Sequence, residues 1–271
     1  MNDLFNVRGK NVLVSGGGRG IGQMIATGFV RNGANVYISS RDEQAINRTA
    51  DELTKLGPGK CYGIAIDLAK HNSADELINT LKTKFNVTQL HVLINNSGNS
   101  WGEPLEQFSE KGWDRVMELN VKALFFLTKS ALPLLQAAAS NDSPARVINI
   151  GSVAGVRPQS VPTWSYDTSK AAVHHLTTKF AGELASKSIT VNAIAPGFVP
   201  SKMSKQLLTY NTEDEMRNAI PLKRFAKTGD MAGPALFFAS PAAAWITGTV
   251  LVVDGGQMAS PPRMIEKSSK L

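Results

Sequence analysis

Residues 15–22 read Ser-Gly-Gly-Gly-Arg-Gly-Ile-Gly, five glycines in eight positions, and their setting restricts the fold more than any other segment. Before them lies an apolar, β-branched run at residues 11–15. After them, residues 21–31 have helical periodicity, and residues 35–39 again read as a strand. Two strands joined through a helix of this length form a βαβ unit with parallel strands. The glycines follow a G-x-x-x-G-x-G spacing. They tolerate a tight turn, let backbone approach a bound group, and let the helix pack on the sheet, while the helix N-terminus attracts negative charge. Such a loop suits the pyrophosphate of a dinucleotide, contacted by Ser15, Gly16, Arg19, Gly20, Ile21 and Gly22. The plainer alternative is a tight turn with no ligand.

The alternation continues through apolar runs at residues 61–66, 91–95, 146–150, 189–195 and 249–253, with helix-like segments between them. Stretches such as Val92-Leu93-Ile94 and Val147-Ile148-Asn149-Ile150 lack a polar alternate, which suits strands covered on both faces. The expected fold is α/β: one doubly wound Rossmann domain with a seven-stranded parallel sheet over residues 1–257, then an exposed tail at 258–271. At 271 residues and 42% hydrophobic, the chain can bury one such core. Segments 96–108 and 196–225 have no clear period. Both follow strand carboxyl ends, where these sheets place ligands, and 196–225 reads as a substrate lid.

Composition closes several other routes. Cys61 is the only cysteine, so no disulfide forms within one chain, a Cys-rich zinc site is excluded, and a reducing compartment is expected. Four histidines, scattered except for His174-His175, give a metal little to bind. No secretory pattern opens the chain, and the most apolar stretch, 121–139, is broken by Lys122, Lys129 and Pro133, so no membrane span is expected. The excess of seven positive charges comes without a nucleic-acid module, so nucleic acid is not an expected partner.

A free ribose 2′-hydroxyl calls for a carboxylate at the end of the second strand, yet the sequence there is Ser39-Ser40-Arg41. Arg41, with Arg19, can pair with a 2′-phosphate through forked, charge-assisted hydrogen bonds, which favours NADP over NAD. Asp42 takes the acidic role if the strand end falls two residues later. Farther on, Tyr166 and Lys170 lie four residues apart on a helical pattern running to residue 185, and so share a face. An ammonium there favours tyrosinate. Moving a tyrosine pKa from about 10 towards 7 needs roughly 4 kcal/mol, within reach of a nearby cation and a nicotinamide charge in a partly dry site. The phenol then donates and accepts protons near neutral pH. On an arbitrary helix the same pair is more often surface decoration.

Four further signatures accompany the glycine loop in the order of one family: Asn95-Asn96-Ser97-Gly98, Ser152 in Gly151-Ser152-Val153-Ala154-Gly155, Tyr166-Asp167-Thr168-Ser169-Lys170, and Pro196-Gly197. The chain resembles the short-chain dehydrogenase/reductases over residues 5–257. Within that family, Arg19-Gly20-Ile21-Gly22-Gln23-Met24-Ile25-Ala26, Ser100-Trp101-Gly102 and the run from Arg146 to Ser152 are most similar to NADPH-dependent 3-oxoacyl reductases of the rhamnolipid-pathway type. The resemblance implies that Tyr166 protonates the carbonyl oxygen as hydride arrives from the nicotinamide, and that Ser152 polarises that carbonyl. It implies that Lys170 lowers the tyrosine pKa and holds the nicotinamide ribose, and that Asn120 anchors a water relaying protons to Lys170. The plainer reading of Asn120 is a polar helix interruption.

Cofactor contacts are implied at Asn96 and Gly98, at Asp67 with the adenine amino group unless Asp67 is only a helix N-cap, and at Pro196, Gly197, Val199 and Ser201 around the nicotinamide. Ser97 and Ser201 stand where alanine and threonine are commoner, keeping the small size and the hydroxyl respectively. Asp167 beside the tyrosine is less usual; adjacent helical residues point about 100° apart, so it is expected to face away. Facing the site, it would raise the tyrosine pKa. A homotetramer is implied, packed through the helices carrying Asn120 and Tyr166.

Trp101, Trp164, Phe198, Met203 and Leu207 either wall an apolar pocket for an acyl or polyketide chain or pack in the core. Lys202, Lys205, Arg217, Lys223, Arg224 and Lys227 crowd the lid, where they meet coenzyme A phosphates or an acidic carrier-protein face, or form a solvated surface. Ser269-Lys270-Leu271 matches a peroxisomal address, read by the import receptor if the cell is eukaryotic. Three functions follow: NADPH-dependent reduction of a ketone, the reverse oxidation of a polyol or hydroxyacyl alcohol, and a cofactor-binding scaffold or non-redox catalyst. The intact Ser152, Tyr166 and Lys170 set argues against the third.

Overall fold

The computed structural model describes residues 4–201 and 212–259. Strand β1 (Asn11–Ser15) enters α1 (Gly20–Arg31) through the glycine loop and the chain returns in β2 (Asn35–Ser40). Gly16 (φ 65°) and Gly20 (φ 54°) are left-handed, which lets the chain turn from strand to helix in so few residues. Then follow α2 (Glu43–Thr54), β3 (Lys60–Ala65), α3 (Ser73–Lys84), β4 (Val92–Asn95), α4 (Glu110–Met117), a π-turn (Glu118–Lys122) and α5 (Ala123–Ala138). The second half continues with β5 (Ala145–Ile150), α6 (Trp164–Leu184), β6 (Ile189–Pro196), α7 (Glu213–Ala219), α8 (Thr228–Ala239) and β7 (Val250–Val253). Every strand pair is parallel, in the order β3-β2-β1-β4-β5-β6-β7. The seven-stranded doubly wound sheet is as expected, and each strand end falls within one residue of its place in the sequence pattern.

Two apolar layers explain why these strands lack a polar alternate. Val12 and Val14 face α1, α2 and α8 through Ile25, Phe29, Ile46 and Phe238, whereas Leu13 faces α3, α5 and α6 through Leu77, Leu127 and Leu184. The helix from Glu110 to Ala138 is long and apolar enough by composition to cross a membrane; here Leu127, Ala131 and Leu135 pack on the sheet. Arg146 is fully buried in β5 and donates to the carbonyls of Phe238 (3.1 Å) and Ser240 (3.2 Å), so it satisfies the C-terminal end of α8. Burial brings its pKa down to about 10.

Asparagines at two central strand ends fix the helices above them. Asn95 Nδ2 donates to Thr128 Oγ1 (3.0 Å) and Asn149 Oδ1 (2.9 Å), and Asn149 Nδ2 donates to Thr177 Oγ1 (2.9 Å). The chain leaves β1 towards β2 and β3, then crosses to β4 on the other side, so the loops after β1 and β4 diverge and open a crevice. Ser15 Oγ forms its floor, accepting from the amides of Asn96 and Ser97, both at 3.0 Å. Asn96 Nδ2 in turn donates to the carbonyls of Ser15 and Gly16, both at 3.0 Å.

Candidate active site

Past Ile150 the chain turns through Gly151 into Ser152, which opens a 3-10 turn at Val153–Gly155. Ser152 Oγ accepts from the Ala154 amide (3.1 Å) and lies close enough to the Tyr166 phenol to lower its pKa. Tyr166 lies in the first turn of α6. One turn on, Lys170 Nζ sits 5.6 Å from the phenol ring centroid and donates to the Ile150 carbonyl (2.8 Å). The three side chains expected to act together are therefore together. Asp167 accepts from Thr163 Oγ1 and the Gln159 amide, both at 2.9 Å, so its carboxylate is turned to the preceding loop, as its place on the helix suggested.

Desolvation pushes the Tyr166 phenol above its ordinary 10.0; the Ser152 hydroxyl pulls it part of the way back, and the Asp167 charge adds to the rise. Burial also brings Lys170 down to about 8. The expected lowering of the tyrosine pKa by Lys170 is thus corrected for the protein alone. A cation beside the ring, itself desolvated and bonded to Ile150, does not outweigh the loss of water around the phenol. For a reduction this direction is useful, because a phenol that stays protonated remains an acid.

Asn120 lies on the π-turn and is buried, 1% exposed. Its Nδ2 donates to the Asn99 carbonyl (3.0 Å) and Ser169 Oγ (2.9 Å), while Oδ1 accepts from the Asn99 amide (2.9 Å). The amide therefore ties the loop after β4 to α6, and helix interruption and buried contact coincide in one residue. A Cβ on Gly98 would stand 3.1 Å from Asn120 Oδ1 and 3.8 Å from Lys170 Nζ, which places this glycine directly against Lys170. Asn99 was not among the expected residues; no spacing rule distinguishes it from its neighbours in the loop.

The glycine loop fits a dinucleotide. Arg19, ahead of α1, gives that helix no side-chain cap, and its first turn holds no acidic residue, so its N-terminal field is open to a phosphate. A Cβ at Gly22 would stand 2.4 Å from the Gly16 carbonyl oxygen, and one at Gly16 would stand 3.0 Å from Asn96 Nδ2, so neither position admits a side chain. Ile21 packs on the apolar layer below. Ser201, after Pro196, Gly197 and the buried Val199, lies across from the loop, its Cβ 3.5 Å from where a Gly20 Cβ would be.

Arg19 and Arg41 are exposed, and among the described residues neither joins an ion pair. β2 stops at Ser40, and Asp42 Oδ1 accepts from the Ala45 amide (3.0 Å) as the N-cap of α2, so the acidic alternative for the ribose is engaged elsewhere. The arginines at this end suit a 2′-phosphate. Asp67 Oδ1 accepts from the Ala69 amide (3.2 Å) in a turn, five residues ahead of Asn72, the true N-cap of α3.

On the substrate side the structure bears on two open alternatives. Trp101 lies over Gly112, where a Cβ would stand 2.4 Å from its ring, and the Arg115 guanidinium is 5.5 Å from the indole, so Trp101 packs within the loop. Trp164 is 45% exposed and donates to the Glu103 carbonyl (3.3 Å); Phe198 meets Phe225, centroids 5.0 Å apart. The lid cations are held locally. Arg217 pairs with Asp214 (3.1 Å) and Glu213 (3.8 Å); Arg224 forks onto Asp230 (2.6 and 2.9 Å) and brings that carboxyl to about 2; Lys223 donates to the Asn218 carbonyl (2.6 Å). Arg217 is paired within α7 and Arg224 ties the preceding loop to α8, which fits the plainer reading of these charges as a surface. Lys202, Met203, Lys205, Leu207 and the C-terminal tripeptide lie outside the described residues.

A paired serine and tyrosine hydroxyl at the carboxyl end of β5, beside a cradle shaped for a dinucleotide, define the class: a nicotinamide-dependent oxidoreductase. The chain belongs to the short-chain dehydrogenase/reductase family. A family model described as Enoyl-(Acyl carrier protein) reductase matches residues 16–258. The chain is 42% identical over 257 residues to the rhamnolipids biosynthesis 3-oxoacyl-[acyl-carrier-protein] reductase of Pseudomonas aeruginosa, covering 94% of this chain and 99% of that one. It is similar to the solved Pseudomonas aeruginosa RhlG/NADP active-site complex, with TM-score 0.89 and 40% identity over 95% of this chain and 99% of the other. A 7alpha-hydroxysteroid dehydrogenase of Escherichia coli is 31% identical over 255 residues, 94% of this chain and 96% of the relative.

Proposed function

We propose that the protein uses NADPH to reduce a ketone, a 3-oxoacyl thioester in particular, to the secondary alcohol. The observation that carries this reading is the Ser152 hydroxyl set beside a buried phenol, one helical turn from Lys170, whose pKa desolvation raises. Bound NADPH would supply hydride to the carbonyl carbon, held by the glycine loop, Asn96, Gly98 and the segment from Pro196 to Ser201, with Arg19 and Arg41 on its 2′-phosphate. Ser152 and Tyr166 then aim two donors at one carbonyl oxygen. Ser152 stabilises the negative charge developing there, and Tyr166 delivers the proton; one such donor is worth about 10²–10³-fold in rate. Lys170, bonded to Ile150, sets the charge beside the phenol. Asn120 stands on the π-turn, and a water anchored there would restore the proton through Lys170.

The identity to a 3-oxoacyl reductase supports the thioester, whether borne on coenzyme A or a carrier protein; the steroid dehydrogenase relative makes alcohol oxidation the arm to exclude. The test is NADPH consumption with a 3-oxoacyl thioester, an enoyl thioester and a simple ketone, and NADP⁺ reduction with secondary alcohols. Turnover on the 3-oxo substrate that falls about 10²–10⁴-fold in Tyr166→Phe is expected. NADPH binding without turnover on any carbonyl would overturn the assignment.

We propose further that the chain forms a homotetramer through α4, α5 and α6. Supporting this, Trp113, Phe125 and Phe126 are 39%, 39% and 43% exposed, and Phe125 stacks on Phe180 of α6 with centroids 5.5 Å apart. Light scattering that gives a monomer would refute it. In a eukaryotic cell the proposed location is the peroxisome, supported by the Ser269-Lys270-Leu271 address; a fluorescent protein carrying residues 259–271 that stays diffuse would count against it.

A further inference from the structure

α6 carries His174 one turn beyond Lys170, facing the loop that presents Ser152. Its Nε2 accepts a long hydrogen bond from the Ser152 amide (3.5 Å). A Cβ on Gly151 would stand 2.1 Å from that nitrogen, so the imidazole occupies the volume a side chain at 151 would need. The Gly155 backbone lies close enough to the ring to raise its pKa. Gly155 is itself pressed onto α6, where a Cβ would stand 2.5 Å from the Lys170 carbonyl carbon. One imidazole thus spans both ends of the 3-10 turn, from the Ser152 amide to Gly155. A ring whose Nε2 accepts from an amide carries no proton on that nitrogen and is neutral.

We propose that neutral His174 is a positioning residue that latches the Ser152 turn against α6, and that protonating it releases Ser152 and lowers turnover. The protonated ring carries a hydrogen on Nε2, which then opposes the Ser152 amide hydrogen. Lys170 on the same helix is the charged group acting on it; Ser152 and Gly155 of the turn face it with backbone groups. Burial holds His174 below its ordinary 6.5, with the Gly155 contact pulling up and Lys170 pushing down. The latch is therefore complete above pH 6.5 and is lost as pH falls through the lowered value. The other two groups give no acid limb. Tyr166 is raised and Lys170 titrates near 8, so both are already protonated there.

This inference rests on the ketone-reduction reading, and its test separates the two. In ¹⁵N-labelled protein without substrate, the Ser152 amide is expected to titrate together with the His174 ring. His174→Gln places a non-titrating acceptor near the Nε2 position. It is expected to keep most of the neutral-pH kcat and to lose the acid decline, while the exposed His175→Asn behaves as wild type. His174→Leu is expected to lower kcat by about 10²-fold with NADPH affinity unchanged, the cost of misplacing a reacting group by about 1 Å. An acid decline that persists in His174→Gln, or a Ser152 amide indifferent to pH, overturns the latch. A wild-type protein that reduces no ketone overturns the functional reading, and the amide titration still decides the latch.

Discussion

Replacing Lys170 by methionine should make the protein inactive and, at neutral pH, more stable. The drop in the lysine pKa from 10.5 to about 8 corresponds to about 3 kcal/mol by which burying the ammonium opposes folding. Methionine fills similar volume without that cost but leaves the Ile150 carbonyl unpartnered, a loss of about 1–2 kcal/mol. The net gain at pH 7 is about 1–2 kcal/mol, or about 2–4 °C in Tm for each kcal/mol. Its sign is set by linkage. Between the folded value near 8 and the unfolded 10.5, the unfolded chain holds a proton that the folded one has released, so wild-type stability rises with pH. By pH 10 the burial cost has fallen to about 1 kcal/mol, and the advantage of the variant disappears. Urea unfolding of both proteins at pH 7, 8.5 and 10 gives the comparison. A variant less stable than wild type at pH 7, or a difference that does not narrow with pH, would refute the reasoning.

Arg41→Asp removes the forked donor and adds a carboxylate for the ribose hydroxyls; the ratio of kcat/KM for NADPH over NADH should fall by about tenfold to a hundredfold in steady-state assays. Gly22→Ala drives a methyl to 2.4 Å from the Gly16 carbonyl oxygen, so NADPH binding followed by fluorescence should be lost while far-ultraviolet circular dichroism shows the fold retained. Thr177→Val strands Asn149 Nδ2 in the buried ladder and should destabilise the protein by about 1–3 kcal/mol in urea unfolding, with a normal result from the exposed Thr178→Val.

Local pattern alone determined the layout. Strand and helix periods depend on which faces are buried, and with both sheet faces covered, apolar runs such as 92–94 and 147–150 mark strands without help from partners. Tyr166, Lys170 and the glycine loop were legible for the same reason: helical spacing and backbone permissiveness are properties of neighbouring residues. What only the tertiary structure decided depends on groups far apart in sequence. The phenol pKa moves up, not down, because the surrounding protein removes water from it, and no spacing encodes that. Asn120 clasps Asn99, 21 residues away, and His174 meets the Ser152 amide, 22 residues away. Such contacts are set by how α6 lies over the sheet, because packed elements fix directions between side chains that a linear pattern leaves open.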